Sequence, residues 1–405
     1  MNFTRVKEFY KRDELENLEN MASITSVKSP MNQPPMSSSR VRRFAALFCL
    51  ISLLLPCAAY PQSVPQSVPQ SEPQSEPQPE ARHGVTVTRL LGHPIIAPGI
   101  DPSIGENIQG PSLIRVPAWV ENPLGKYYLY FADHKGLYIR LAYADEITGP
   151  WKIYVPGSLR IEDSFFAPTR PEIEPERLAE LVAQREASGV RIMHDFAKEL
   201  TEPHIASPDV HVDNENQRIV MYFHGLEAAA QQHSRVATST NGIDFVTLPG
   251  DIGRTYYRAF AWEGLTYAIA MPGQFYRSVD GLTNFEEGPR LFEGTMRHSA
   301  VMVRGNTLFV FWTRVGDAPE TIMLSTIELT ENWNDWVESP EVELLRPEFS
   351  WEGANAPIEP SVRSTAYGRV NQLRDPALFE ENGVVYLLYA VAGESGIALA
   401  RVDFY

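Results

Sequence analysis

The chain has 405 residues, 43% of them hydrophobic and 11% aromatic, enough to bury a sizeable core. Its 35 Lys and Arg face 51 Asp and Glu, a net charge of −16, which argues against nucleic acid or an anionic membrane as a partner. Both cysteines, Cys49 and Cys57, lie near the start, so the rest of the chain holds no disulfide and must be stabilised by packing.

The N-terminal part differs in composition from the rest of the chain. Arg40-Val-Arg-Arg43 precedes the apolar run Phe44–Leu55, which ends at Pro56-Cys-Ala-Ala59. A basic stretch, an apolar stretch and small residues in that order predict a signal-peptide region over 1–60. The apolar run, about a dozen residues, is too short to span a bilayer, so no membrane span is expected. The polar residues upstream are long for a signal peptide and point to initiation at Met31 or Met36. Pro56 makes Cys57 a poor lipidation site, so no lipid anchor is expected. Over 61–83, prolines at 61, 65, 69, 73 and 77 amid Gln, Ser and Glu predict an extended tether. Residues 1–83 hold 9 basic and 8 acidic side chains, which leaves 26 and 43 in 84–405, a net charge of −17. Export without disulfides suggests a bacterial periplasm or exterior.

From residue 84 onward one module recurs. Its first copy runs Pro111–Val116, Lys126–Ala132 and Ile139–Ala144, closing on Trp151; its second runs His204–Val212, Arg218–Gly225 and Val236–Phe245. A third covers Tyr257–Trp262, Leu265–Ala270 and Phe275–Val279, and a fourth His298–Val303, Thr307–Trp312 and Ile322–Thr326. The last has Asp375–Phe379, Val384–Tyr389 and Ile397–Arg401, with no room for a further strand before Tyr405. β-Branched and aromatic runs split by turn pairs, at a period of roughly 40 to 50 residues, predict an all-β, five-bladed β-propeller over 84–405. A sandwich would lack the repeating aromatic module. Val85–Leu90 is then expected to supply the missing outer strand. Between the first two modules, Leu178, Leu181 and Val182 fall at helical spacing and a second short helix is expected over 192–200, giving a helical insertion between blades one and two.

In a propeller the start of each inner strand meets the end of each second strand at one mouth of the central channel. That placement gathers Asp209, Arg258, Arg297, His298, Arg374 and Asp375 from strand starts, and His134, His224 and Glu394 from strand ends. Glu352 and Glu359 lie in the long loop before the last module and are expected to enter the same mouth. Carboxylates from different blades, flanked by Arg and His, suit general acid–base chemistry. His204 and His211 do not have the spacing of a zinc site, so no metal or cofactor is expected. The chain has no phosphate-cradling glycine loop, Gly-x-Ser-x-Gly elbow or His-Glu-x-x-His.

Ser207-Pro-Asp-Val210 and Arg374-Asp-Pro-Ala377, each followed by an aromatic strand, resemble blade openings of five-bladed glycoside hydrolases of family 43, and the likeness covers residues 100–405. The resemblance implies hydrolysis of a glycosidic bond with inversion, using a base, a pKa modulator and a general acid. Asp375 matches the base motif and Asp209 stands where a modulator would be expected. Tyr257-Arg258 replaces the expected acid, and Glu287-Gly-Pro289 imitates the acid motif without the strand that should come after it. The similar family 117 uses a histidine as acid, which His298 would supply; Glu352 or Glu359 is the alternative. His134, His224, Arg258, Arg297, Arg374 and Glu394 would then contact an oligo- or polysaccharide. The missing third acid keeps a non-catalytic glycan-binding propeller open, and the arginines keep open a phosphorylase that would hold phosphate.

Overall fold

The computed structural model describes residues 84–187 and 195–405. The signal-peptide region over 1–60 and the tether over 61–83 lie outside the described residues. Among the described residues, twenty strands form five antiparallel four-stranded sheets. After β1 (Val85–Arg89), blade one takes β2 (Gln109–Arg115), β3 (Tyr127–Ala132), β4 (Tyr138–Ala144) and β5 (Lys152–Arg160). Blade two takes β6 (Ile205–Asp213), β7 (Arg218–Ala228), β8 (Gln231–Ser239) and β9 (Val246–Thr247). Blade three takes β10 (Arg258–Trp262), β11 (Leu265–Ala270), β12 (Gln274–Ser278) and β13 (Glu286–Arg290). Blade four takes β14 (Met296–Arg304), β15 (Thr307–Arg314), β16 (Ile322–Glu328) and β17 (Val342–Leu345). Blade five takes β18 (Arg374–Glu381), β19 (Val384–Ala390) and β20 (Ile397–Phe404).

The propeller is therefore five-bladed, and Val85–Arg89 closes it as expected. β1 pairs antiparallel with β20, from Val85 opposite Phe404 to Arg89 opposite Ala400. Ring closure matters because each blade is apolar on both faces and must be covered by a neighbour on either side. The second strands show this most plainly: every residue of Tyr127-Tyr-Leu-Tyr-Phe-Ala132 is buried, the continuous apolar run of a strand sandwiched on both faces. Among the described residues, five apolar clusters fill the spaces between neighbouring blades. Edge-to-face aromatic pairs join the blades, such as Tyr130 with Phe245 at 5.8 Å.

Helices Pro175–Ala187 and Phe196–Thr201 separate β5 from β6, as the sequence pattern requires. The second begins at Phe196, where Asp195 caps it, its carboxylate accepting from the Lys198 N–H at 3.1 Å. Residues 192–194 lie outside the described residues. No helix among the described residues is long and apolar enough to cross a membrane.

Glu352 departs from expectation. It is fully buried, but against the closing strand rather than in the mouth. Arg89 Nε donates to its Oε1 at 2.8 Å and Tyr389 OH donates to the same oxygen at 3.0 Å. The N–H of Glu348 donates to Oε2 at 2.9 Å. This carboxylate locks β1 to the long loop, which removes it from the candidate acids. Truncating one partner of such a pair leaves the other uncompensated. Glu352→Ala is expected to lower unfolding stability by about 3 kcal/mol in urea titration, and an unchanged stability would refute this locking role.

Candidate functional site

Each inner strand opens with the same irregularity. Arg374 pairs with Ala390 and Ala377 with Leu388, so the first strand spends three residues where its partner spends two. The same slip separates Gln109 from Ser112, Ala206 from Asp209, and Arg297 from Ala300. In blade three the Met271 N–H donates to Thr255 O at 2.9 Å while Arg258 pairs with Ile269, which gives the same offset. The residue after the first position takes a positive φ in every blade: Gly110 at 62°, Ser207 at 51°, Tyr256 at 60°, His298 at 42° and Asp375 at 46°. Such a bulge re-aims one side chain, and a left-handed backbone costs a non-glycine residue roughly 1–3 kcal/mol. Five bulges thus present Gly, Ser, Tyr, His and Asp around one mouth of the ring.

Aligning the blades on this bulge separates the two aspartates treated as a pair. Asp375 occupies the left-handed position, whereas Asp209 lies two residues further along its strand, level with Ser112, Arg258, Ala300 and Ala377. The counterpart of Asp375 in blade two is Ser207. Asp209 belongs to another network: His211 Nε2 lies 2.8 Å from its Oδ2, and the Ala259 N–H donates to the same oxygen at 2.8 Å. His211 and Arg258 hold the Asp209 carboxyl below its usual range against the opposing effect of burial. Asp209 lines a cavity of about 440 Å³ in the central channel, together with Asn214, Ala118 and Glu380 from the far ends of the inner strands. Asp375 is not among its lining residues. Arg258 stands between the two levels, its Nε donating to Ser299 O at 2.9 Å and its Nη1 to Pro208 O at 3.2 Å. It staples blades two, three and four, so its guanidinium is occupied by backbone carbonyls.

Asp375 sits in the buried centre of the mouth, 1% exposed, with no hydrogen-bond partner among protein atoms for either carboxylate oxygen. His298 stands beside it, its Nδ1 3.5 Å from Asp375 Oδ1. Burial, and then the negative charge of Glu394, push the Asp375 carboxyl up to about 7. Burial and the cations Arg297 and Arg374 push His298 well below the ordinary histidine value. His298 is consequently a neutral imidazole at physiological pH, which removes the expected role of general acid. His224 is also pushed well below the ordinary histidine value, by burial first and His204 second. The His224, Tyr256 and His298 rings succeed one another, with centroids 4.5 and 4.8 Å apart.

Around this centre runs a lattice of ion pairs. Arg374 Nη1 donates to Glu394 Oε1 at 2.7 Å, His134 Nδ1 lies 3.1 Å from the same oxygen, and Asn107 Nδ2 donates to Oε2 at 2.7 Å. Arg297 chelates Glu320, Nε donating to Oε1 at 2.9 Å, and Arg374 Nε lies 3.4 Å from Glu320 Oε2. Glu394 is held down to about 2 despite burial, by His134 and then Arg374. Arg297, Arg374, His134 and Glu394 therefore support the centre rather than offering free groups to a ligand. Sequence reasoning missed Glu320, which comes after Pro319 in the turn after β15 and carries no motif.

The mouth is roofed. Arg297 Nη1 donates to Val362 O at 3.2 Å and Arg374 Nη1 to Ser364 O at 3.2 Å, so the loop before β18 crosses the centre. The helix Phe196–Thr201 meets that loop in a narrow slot of about 30 Å³ lined by Lys198, Glu202, Thr365 and Tyr367. Glu359, on the same loop, is exposed to solvent and stands away from the buried centre. Glu287, in the outermost strand of blade three, is likewise exposed. Among the described residues no three His, Cys, Asp or Glu side chains are grouped to hold a metal ion.

No protein-family model matches the chain. It is 35% identical over 322 residues to the uncharacterized protein R118 of Acanthamoeba polyphaga mimivirus, covering 73% of this chain and 83% of that protein. It is similar to a solved thermostable family-43 glycoside hydrolase at 13% identity and a TM-score of 0.44, covering 74% and 89% of the two chains. A Bacteroides thetaiotaomicron endo-1,4-beta-xylanase gives 12% identity and a TM-score of 0.46 over 73% and 89%. The GH43_1 enzyme of Xanthomonas citri complexed with xylose gives 11% and 0.44 over 77% and 90%. Likenesses at this level carry no argument about chemistry, which rests on the residues of the mouth.

The raised carboxyl has a measurable signature. Asp375 binds its proton more tightly folded than unfolded, so its stabilising contribution is complete below the unfolded value of about 4 and is lost as pH rises through about 7. Glu394 works oppositely and at lower pH, its contribution being lost as pH falls towards about 2. Between pH 4 and pH 8, wild type is expected to lose on the order of 4 kcal/mol more unfolding free energy than Asp375→Asn. Parallel stability curves for the two proteins would refute the assignment.

Proposed function

The chain belongs to the family of the mimivirus protein R118, and we propose that it is an exported propeller that binds a saccharide and hydrolyses a glycosidic bond with inversion. The observation that carries this reading is Asp375: a buried carboxyl with both oxygens unpaired, poised near neutrality, 3.5 Å from a neutral histidine. A group titrating near the working pH, held on a rigid ring, is suited to take a proton from an attacking water. His298 acts as a positioning residue, and the Arg–Glu lattice fixes the electrostatics in which Asp375 titrates. Tyr256, its ring held between two imidazoles, offers its hydroxyl to a sugar. Export is proposed from the basic and apolar segments at residues 40–59 alone.

One observation favours a second reading, a glycan-binding propeller without turnover. Inversion needs a second carboxyl roughly 6.5 to 9.5 Å from the first to protonate the leaving group. The other buried carboxylates of the mouth are both held as anions, Glu320 by Arg297 and Arg374 and Glu394 by His134 and then Arg374.

Two linked experiments decide. Incubated with a panel of oligosaccharides and followed by anomer-resolved NMR, the wild-type protein is expected to release product of inverted configuration, with kcat/KM rising to a plateau above about pH 7. Asp375→Asn is expected to lose turnover by at least about 10³-fold while keeping affinity, and Asp209→Asn to stay within a few-fold of wild type. Binding without cleavage across the panel would select the lectin-like reading. For His298, the diagnostic is the pH profile: His298→Gln is expected to displace its midpoint, which a purely structural residue would not do.

A further inference from the structure

The roof of the mouth carries a cation that the lattice does not neutralise. Arg363 lies on the loop that crosses the centre and is partly buried. Its Nη2 donates to Gly294 O at 3.0 Å and its Nη1 lies 3.6 Å from Met271 Sδ. No carboxylate stands within ion-pair distance of it among the described residues. Its charged neighbours are chiefly of like sign: after burial, Arg297 and Arg185 are what push its pKa down to about 10, which still leaves it protonated. Close by are the hydroxyl of Tyr256 and the chelated Glu320.

The charge inventory is lopsided as a result. While Asp375 holds its proton, Arg297, Arg363 and Arg374 face two ionised partners among the described residues, Glu320 and Glu394, and Arg258 leans towards Asp209. Arg297 and Arg374 share the two glutamates between them, and Arg363 is left over. The mouth that this loop roofs holds polar atoms with no protein partner: both oxygens of Asp375, Nδ1 of His298, Nδ1 of His224 and Nε2 of Gln109. Unsatisfied polar atoms in a buried mouth, roofed by a loop that carries a partly buried surplus cation, are the arrangement of a site completed by a ligand.

We propose that this mouth takes an anionic saccharide, whose oxyanion is received by Arg363 beside Tyr256 while its hydroxyl groups satisfy the polar atoms around Asp375. The inference rests on the proposed saccharide function and names its substrate class. A planar carboxylate, as in a uronic acid, matches the guanidinium fork in two parallel hydrogen bonds; a sulfate ester shares the same oxyanion chemistry. Free inorganic phosphate would use the same group but would leave the hydroxyl-binding atoms unfilled.

Calorimetric titration of the full chain with matched trisaccharides tests this. The probes are trigalacturonate, its methyl ester, a sulfated galactan trisaccharide and inorganic phosphate. The expected result is affinity for an acidic trisaccharide about tenfold or more above its neutral counterpart, the equivalent of one charge-assisted hydrogen bond. The gap should shrink with added salt, close in Arg363→Gln and partly return in Arg363→Lys. Carboxylate and sulfate arms identify which oxyanion is preferred. Equal affinity for acidic and neutral sugars, no affinity for either, or binding of phosphate alone overturns the proposal. If Arg363→Gln fails to fold, the ratio measured on wild type decides by itself. NMR of the same mixtures keeps the two readings apart: acidic selectivity without cleavage removes the hydrolase and leaves the selectivity, and cleavage of neutral sugars alone does the reverse.

Discussion

The structure depends on one backbone constraint, repeated five times. Each inner strand enters the channel through a bulge whose central residue is left-handed. In four of the five blades that residue is not glycine, so each of those openings stores strain that blade packing must over-determine. The benefit is positional. A bulge turns a side chain that would lie along the sheet towards the axis, and five of them bring Gly110, Ser207, Tyr256, His298 and Asp375 to a common mouth. The chemistry available to the protein is set by which side chain each blade places there.

Burial then sets the behaviour of those side chains. A carboxylate cannot be desolvated cheaply, so Asp375 holds its proton to near neutrality while Glu394, given an arginine, a histidine and an asparagine, stays ionised. Two carboxyl groups in one pocket thereby acquire opposite protonation tendencies. The same cations that stabilise Glu320 and Glu394 deny His298 a positive charge. Arg258, held by carbonyls of three blades, closes the mouth from below and leaves the channel cavity with Asp209 and His211 as a separate compartment.

Much of this architecture is legible in the sequence. The five modules, the insertion and the closing strand arise from periodic apolar runs that only blades on both sides can cover. Asp375, His298, His134, Arg297, Arg374 and Glu394 come together at one mouth because strand starts and strand ends meet there. Asp209 was misplaced for a specific reason. Pro208-Asp209 and Asp375-Pro376 look alike, but the bulge residue precedes the proline, so registering the blades on proline would have matched Ser207 with Asp375. Glu352 misled because nothing in Trp351-Glu-Gly353 says that the loop turns back to the closing strand, where Arg89 waits some 260 residues away in the chain.

The sequence by itself determined the repeat, the ring closure and the pool of polar residues at the strand ends, because these are local patterns of apolarity and turn chemistry. The tertiary structure alone decided which of those groups are charged, which are paired and which are left unpaired. Protonation and pairing depend on distance and desolvation between blades, and neither is written in any single segment of the chain.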